Sequence, residues 1–289
     1  MAITYDAMKT VTADLYAWSL RTVPDDAVAA LRAAGATETV ESARKVLRFM
    51  LAAAETAQRS NKYLCTDAGV PSYDVRIGTA ARIEGDIKQA IVDGFAHLCE
   101  TADPPLLKFV TNPLTNARSF RGKDMPLVTW DMVSGADYVE VVCSPKALGT
   151  GRWATIETFV SPSLDTIEAH ILDCVIKAGS QACPPIVVGV GIGGTFDVAA
   201  KLASKATLRP FGQTNPEPIL ADMERRLLDA VNQTGFGPMG TGGDTTALGV
   251  HIDYASGHGY TPVAVCFNCW INRRTRARLY NSGEIVRCE

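Results

Sequence analysis

The feature that most narrows the fold is a strand that runs straight into a glycine turn and then a helix. Residues 185–190 read PIVVGV, residues 191–195 read GIGGT, and a helical stretch continues to about Thr207. β-Branched apolar residues suit a strand, and clustered glycines suit a tight turn. The apolar run from Pro184 to Val190 falls far short of the ~20 residues that a membrane span needs. A chain built on such a unit lays helices over a sheet.

The remaining sequence agrees. Residues 1–60 read as helical, with Val40, Ala43, Val46, Leu47, Met50, Leu51 and Ala54 forming one apolar stripe at three-four spacing. A second helix is expected from about Ala80 to Cys99, with Ile83, Ile87, Ile91, Phe95 and Leu98 turned inward. Between them NKYLCTDAGVPSYDVRIG is turn-rich and then alternates toward a strand. KFVTN, PLVTW, DYVEVVC and ATIETFV are short strand candidates, followed by helices over about Leu164 to Ala178 and about Pro216 to Gln233. A glycine-dense loop, GFGPMGTGGDTT, precedes two further strands, TALGVHID and TPVAVCF. The expected fold is mixed α/β of the α+β kind: a helical N-terminal part, about residues 1–100, packed on a mixed β-sheet core with covering helices. No linker interrupts the chain, so one domain over residues 1–289 is expected. With 47% hydrophobic residues the chain can bury a sizeable core. A net charge of −3 without any basic tract argues against nucleic acid. No secretory signal is read at the N-terminus, so the expected location is cytoplasmic, with no membrane partner.

Three motifs carry possible chemistry. Gly189, Gly191 and Gly194 satisfy GxGxxG after a strand, the setting of a dinucleotide fingerprint. However, the helix runs into LRPFGQTNPEP rather than a second strand ending in an acid, as that fingerprint requires. A nucleotide-dependent oxidoreductase is therefore the weaker alternative. The loop from Gly235 to Gly243 lacks the lysine ending of a P-loop and reads either as a surface loop or as a wall against which a ligand approaches the backbone. The eight cysteines divide by context. Cys65, Cys183 and the pair Cys266/Cys269 lie in or beside loops, whereas Cys99 and Cys174 lie on predicted helix faces, Cys143 in a strand and Cys288 at the terminus. One close pair without a second is unlike a zinc site. Separated loop cysteines suit an iron–sulfur cluster better, and the remainder are small core residues.

Several blocks together resemble the alpha subunit of the class I fumarase and L(+)-tartrate dehydratase family, the iron–sulfur hydro-lyases. They are CPPIVVGVGIGGT, AAKLASKATLRP, NPEP, GFGPMGTGGDTTALGVHI and PVAVCFNCW-x2-R, in family order. The resemblance implies a [4Fe-4S] cluster held by Cys65, Cys183 and Cys269, with Cys266 a spare. Three thiolates leave one iron open, and the family uses it as a Lewis acid on the hydroxyl of a small 2-hydroxy (di)carboxylic acid. By the same resemblance Thr66 and Asp67 contact substrate, His258 binds it, and Arg118 or Arg121 pairs with a carboxylate. Asp67 and His258 are the catalytic candidates, while His97 and His170 read as structural. The resemblance also implies a separate beta-type subunit carrying a swivelling domain and the base, in an α2β2 assembly.

Three departures from the family pattern stand out. Thr66 replaces a glutamine in the Cys65 box, Ala147–Trp153 replaces a glycine-rich run, and Asp244 stands where a lysine is common. They suggest the same reaction on a changed substrate. They also raise the alternative of a non-catalytic homologue.

Overall fold

The computed structural model of the chain describes residues 1–288. In chain order β1 (Ile3–Thr4), α1 (Tyr5–Ser19), α2 (Asp25–Thr37) and α3 (Glu41–Arg59) lead into β2 (Ser72–Gly78), β3 (Ile83–Glu84) and α4 (Ile87–Thr101). Next come β4 (Val110–Thr111), β5 (Arg118–Ser119), β6 (Leu127–Val133), β7 (Tyr138–Cys143), α5 (Leu148–Gly151) and β8 (Thr155–Val160). The last third holds α6 (Leu164–Ala178), β9 (Ile186–Gly193), α7 (Phe196–Ala206), α8 (Pro218–Gln233), β10 (Ala247–Ala255), β11 (Tyr260–Asn268), β12 (Thr275–Tyr280) and β13 (Ile285–Cys288). The mixed α/β class is as expected. Among the described residues no helix is long and apolar enough to cross a membrane.

The elements gather into two compact units, each assembled from separated stretches. The first takes Met1–Pro24, Ala54–Ala147 and the residues from Arg273 on; the second takes Asp25–Ala53 and Leu148–Asn272. The chain passes between them inside ordinary turns and within α3, so composition marks no boundary.

In the first unit a five-stranded sheet runs in the order β13-β12-β7-β2-β6. Only β2 and β6 pair in parallel. Helices α1 and α4 bury Met8, Leu15, Tyr16, Ile91 and Phe95 against Tyr73, Val75, Val139 and Val141 of the sheet. The expected helix from Ala80 starts later, at Ile87. Asp86 caps it, its carboxylate accepting the N–H of Gln89 at 3.0 Å, and Ile83 instead pairs with β1.

In the second unit the sheet order is β10-β9-β11-β8, with β9 and β10 parallel and β11 antiparallel to β9 and β8. The alternation of β9 explains its composition. Val188 and Val190 face the α6 and α8 side with Ile171, Val175, Met223 and Leu227. The glycines between them face α7: a Cβ at Gly189 would stand 2.3 Å from the Ala203 carbonyl oxygen, and one at Gly191 2.1 Å from that of Ala199. Helix α7 therefore lies almost main chain to main chain on β9. The GxG pattern is a packing seam, which removes the ground for a dinucleotide site.

Candidate active site

The second unit concentrates its chemistry at one end of its sheet. Strands β9 and β10 begin there and β11 ends there, so Cys183, the glycine loop and Cys269 all project from the same edge. The N–H of Trp270 donates to the Cys183 carbonyl at 3.3 Å, which makes Cys183 and Cys269 neighbours. Cys269 opens a turn closed by Asn272 N–H on its carbonyl at 2.9 Å. That turn is braced by Asn268 Nδ2 donating to Asn272 Oδ1 at 3.0 Å. Cys183 itself is left-handed, at φ 57° and ψ 61°. Both thiols are half-buried.

The surroundings leave room beside them. A Cβ on Gly149, in α5, would sit 3.6 Å from Cys183 Sγ. The glycine loop is tied to the Cys183 strand by Met239 N–H on the Pro184 carbonyl at 2.8 Å. Its far side is latched by Glu38, only 1% exposed. That carboxylate accepts the N–H groups of Val40, Asp244 and Thr245 at 3.0–3.1 Å. Asp244 in turn accepts from the Thr39 N–H at 2.9 Å and hydroxyl at 2.6 Å. Those bonds hold its carboxyl below the usual range. Asp244 is thus a fastener of the loop, which weakens its reading as a substrate determinant. Glu38 gave no signal in the sequence, being one acid in a polar helix connection.

Cys266 and Cys269 diverge. Cys266 lies within β11 opposite Gly189 and packs with Ala199, Ala203 and Ala264 in the α7 seam. His258 diverges further. It is exposed in the hairpin between β10 and β11, stacked on Tyr260, whereas Cys269 follows the other end of β11. Nine extended residues put about 26 Å between those ends. Within one chain His258 and Cys269 do not meet.

In the first unit β2 begins, β7 ends and β12 begins at one end of the sheet. The loop carrying Cys65, Thr66 and Asp67 leaves from there. It is braced by Leu64 N–H on the Leu20 carbonyl at 3.0 Å and by a two-way bridge between Val70 and Lys146. The buried Tyr16 hydroxyl is shared between the carbonyls of Ala68 and Gly69 at 3.1 and 3.0 Å. Burial raises that hydroxyl well above its ordinary pKa, so it stays a donor. Asp67 Oδ1 accepts the N–H of Gly69 at 2.9 Å, a turn-capping role. Thr66 is exposed. Arg118, on the β4–β5 hairpin, is exposed as well, whereas Arg121 reaches Glu100 at 3.7 Å.

A second arrangement resembles a thiol–imidazole–carboxylate relay. Cys174 Sγ lies 3.6 Å from His170 Nε2, whose Nδ1 lies 3.5 Å from Glu157. Burial pushes that thiol up to about 11, so it is not a thiolate near neutral pH.

Among the described residues no three His, Cys, Asp or Glu side chains converge on one metal ion. A cuboidal cluster places its thiolates on separate corners and does not need that convergence. Half-buried Cys183 and Cys269, adjacent and walled by glycine, fit such a bulky group.

Comparison with known proteins shows the family. The profile of the family described as fumarate hydratase (fumerase) matches residues 9–278. A Methanocaldococcus jannaschii protein named as an L(+)-tartrate dehydratase subunit alpha is 33% identical over 276 residues, covering 93% of this chain and 96% of its own. The L(+)-tartrate dehydratase subunit alpha of Escherichia coli is 30% identical over 264 residues, covering 89% and 86%. The chain belongs to the fumarate hydratase family of hydro-lyases.

Proposed function

We propose that this chain is the alpha-type subunit of an iron–sulfur hydro-lyase that reversibly dehydrates a small 2-hydroxy (di)carboxylic acid. The observation that carries this reading is the main-chain apposition of Cys183 and Cys269 at a glycine-walled sheet end, in a chain of this family. Cys65, on its braced turn, is the third ligand of a [4Fe-4S] cluster. When bound, that group supplies an open iron as a Lewis acid for the departing hydroxyl. The chain's own residues do the rest. Tyr16 fixes the Cys65–Gly69 turn and so aims Thr66 and Asp67. Arg118 or Arg121 pairs with a substrate carboxylate. His258 can join this site only from another chain. A beta-type partner, suggested by the alpha-subunit names of the relatives, supplies the remaining cations and the base from an α2β2 complex in the cytoplasm.

The test is anaerobic co-expression with a beta-type partner, followed by iron and sulfide analysis and assays on malate, tartrate and related hydroxy acids. Cys→Ser at 65, 183 or 269 should abolish cluster and activity, whereas C266S should keep both. A complex that binds the cluster but turns over no hydroxy acid would favour the non-catalytic homologue.

A further inference from the structure

Arg273 is a buried arginine for which the described residues supply no carboxylate partner. It is 5% exposed, and its Nε and Nη1 are both buried without a hydrogen-bond partner. A guanidinium cannot discharge itself by losing a proton, and buried charges are ordinarily paired or ligand-bound. Two partly exposed arginines of the same unit show the ordinary pairing. Arg76 reaches Asp74 at 3.1 Å and Glu140 at 3.3 Å, and Arg278 reaches Glu140 at 2.9 Å. Among its neighbours are Tyr16 and Cys143, whose pKa values its positive charge lowers. Burial keeps both neutral, so neither compensates the charge.

Its position narrows the missing anion. Thr275 pairs with Cys143, and Arg273 precedes that pair by two residues, at the sheet end from which the Cys65 turn and Ser144 depart. Ser144 Oγ is a second buried polar atom there without a partner. Along the chain Arg273 is four residues past Cys269 and closes the CW-x2-R block.

We propose that Arg273 is the counter-charge of the anionic, thiolate-ligated cluster, holding it in place and setting its reduction potential. This rests on the iron–sulfur reading above. Three thiolates make such a cluster negative, and a cation in a low-dielectric interior acts on it strongly. The arginine acts through the cluster and is a positioning residue.

The experiment uses the complete complex, prepared anaerobically, as wild type, R273M and R273K. In R273M the midpoint potential of the cluster, titrated with dithionite, should fall, because a nearby positive charge favours the reduced state. Cluster retention against a chelator should weaken roughly 10- to 100-fold. R273K keeps the charge and should keep a potential close to wild type. The cluster-free R273M complex should melt no lower than wild type, since an uncompensated charge is gone. An unchanged potential in R273M, or a fall in R273K as large as in R273M, overturns the proposal and leaves the hydro-lyase reading standing. A wild-type complex that takes up no iron or sulfide overturns both.

Discussion

At the scale of single residues, the site end of the second unit holds its geometry at a cost. Cys183 occupies a left-handed conformation that is unfavourable by about 1–2 kcal/mol for a residue with a Cβ. Glycine would relieve that strain while returning roughly 0.5–1 kcal/mol through its freer unfolded chain. The cluster-free C183G chain should therefore be as stable as wild type or up to about 1 kcal/mol more stable in a denaturant titration, although it lacks a proposed ligand. A loss of stability would mean that the thiol packs structurally. Asp244 offers a pH signature. The Thr39 hydroxyl and N–H stabilise its ionised form and lower its pKa. A carboxyl depressed in this way adds stability above its unfolded value of about 4 and loses it as pH falls through the folded value. Wild type and D244N should differ in Tm near neutral pH and converge as pH drops below about 4. A gap that persisted in acid would assign Asp244 a purely steric role. None of this was legible in the sequence. Asp244 could be seen only as a departure from a lysine, because its partner lies 205 positions away.

At the scale of elements, periodicity was informative and purpose was not. The helix over Leu164–Ala178 and the strands in DYVEVVC and ATIETFV appear where their patterns put them. Strands β12 and β13 were missed, because TRARLY and IVRC alternate charge with apolar residues at the end of the chain. The Ala80 start of α4 failed because Ile83 fits a helical stripe by spacing, while the Asp86 cap decides where the helix begins. The GxGxxG match was formally correct yet serves packing. G191A should show this directly. Its new Cβ would stand 2.1 Å from the Ala199 carbonyl oxygen and 2.7 Å from the Ala203 nitrogen. Helix α7 must then lift from β9, and we expect a loss of about 3 kcal/mol in chemical denaturation. A neutral effect would mean that the helix is loosely seated.

At the scale of the whole molecule, the resemblance nominated three cysteines among which spacing alone could not choose, and it named His258 without its distance. Sequence proximity misled there: 11 residues before Cys269 reads as nearby until those residues are drawn out as a strand. Complementation should settle the role of His258. Complexes made by mixing H258A and C269S chains should regain part of the activity that each homogeneous variant lacks. No recovery would remove His258 from the reaction. Strand β11 therefore acts as a fixed spacer. If complementation succeeds, the enzyme's specific activity depends on how many chains are assembled. Dilution below the assembly constant would silence it without unfolding it, and the rate would report the protein's own concentration as well as that of its substrate.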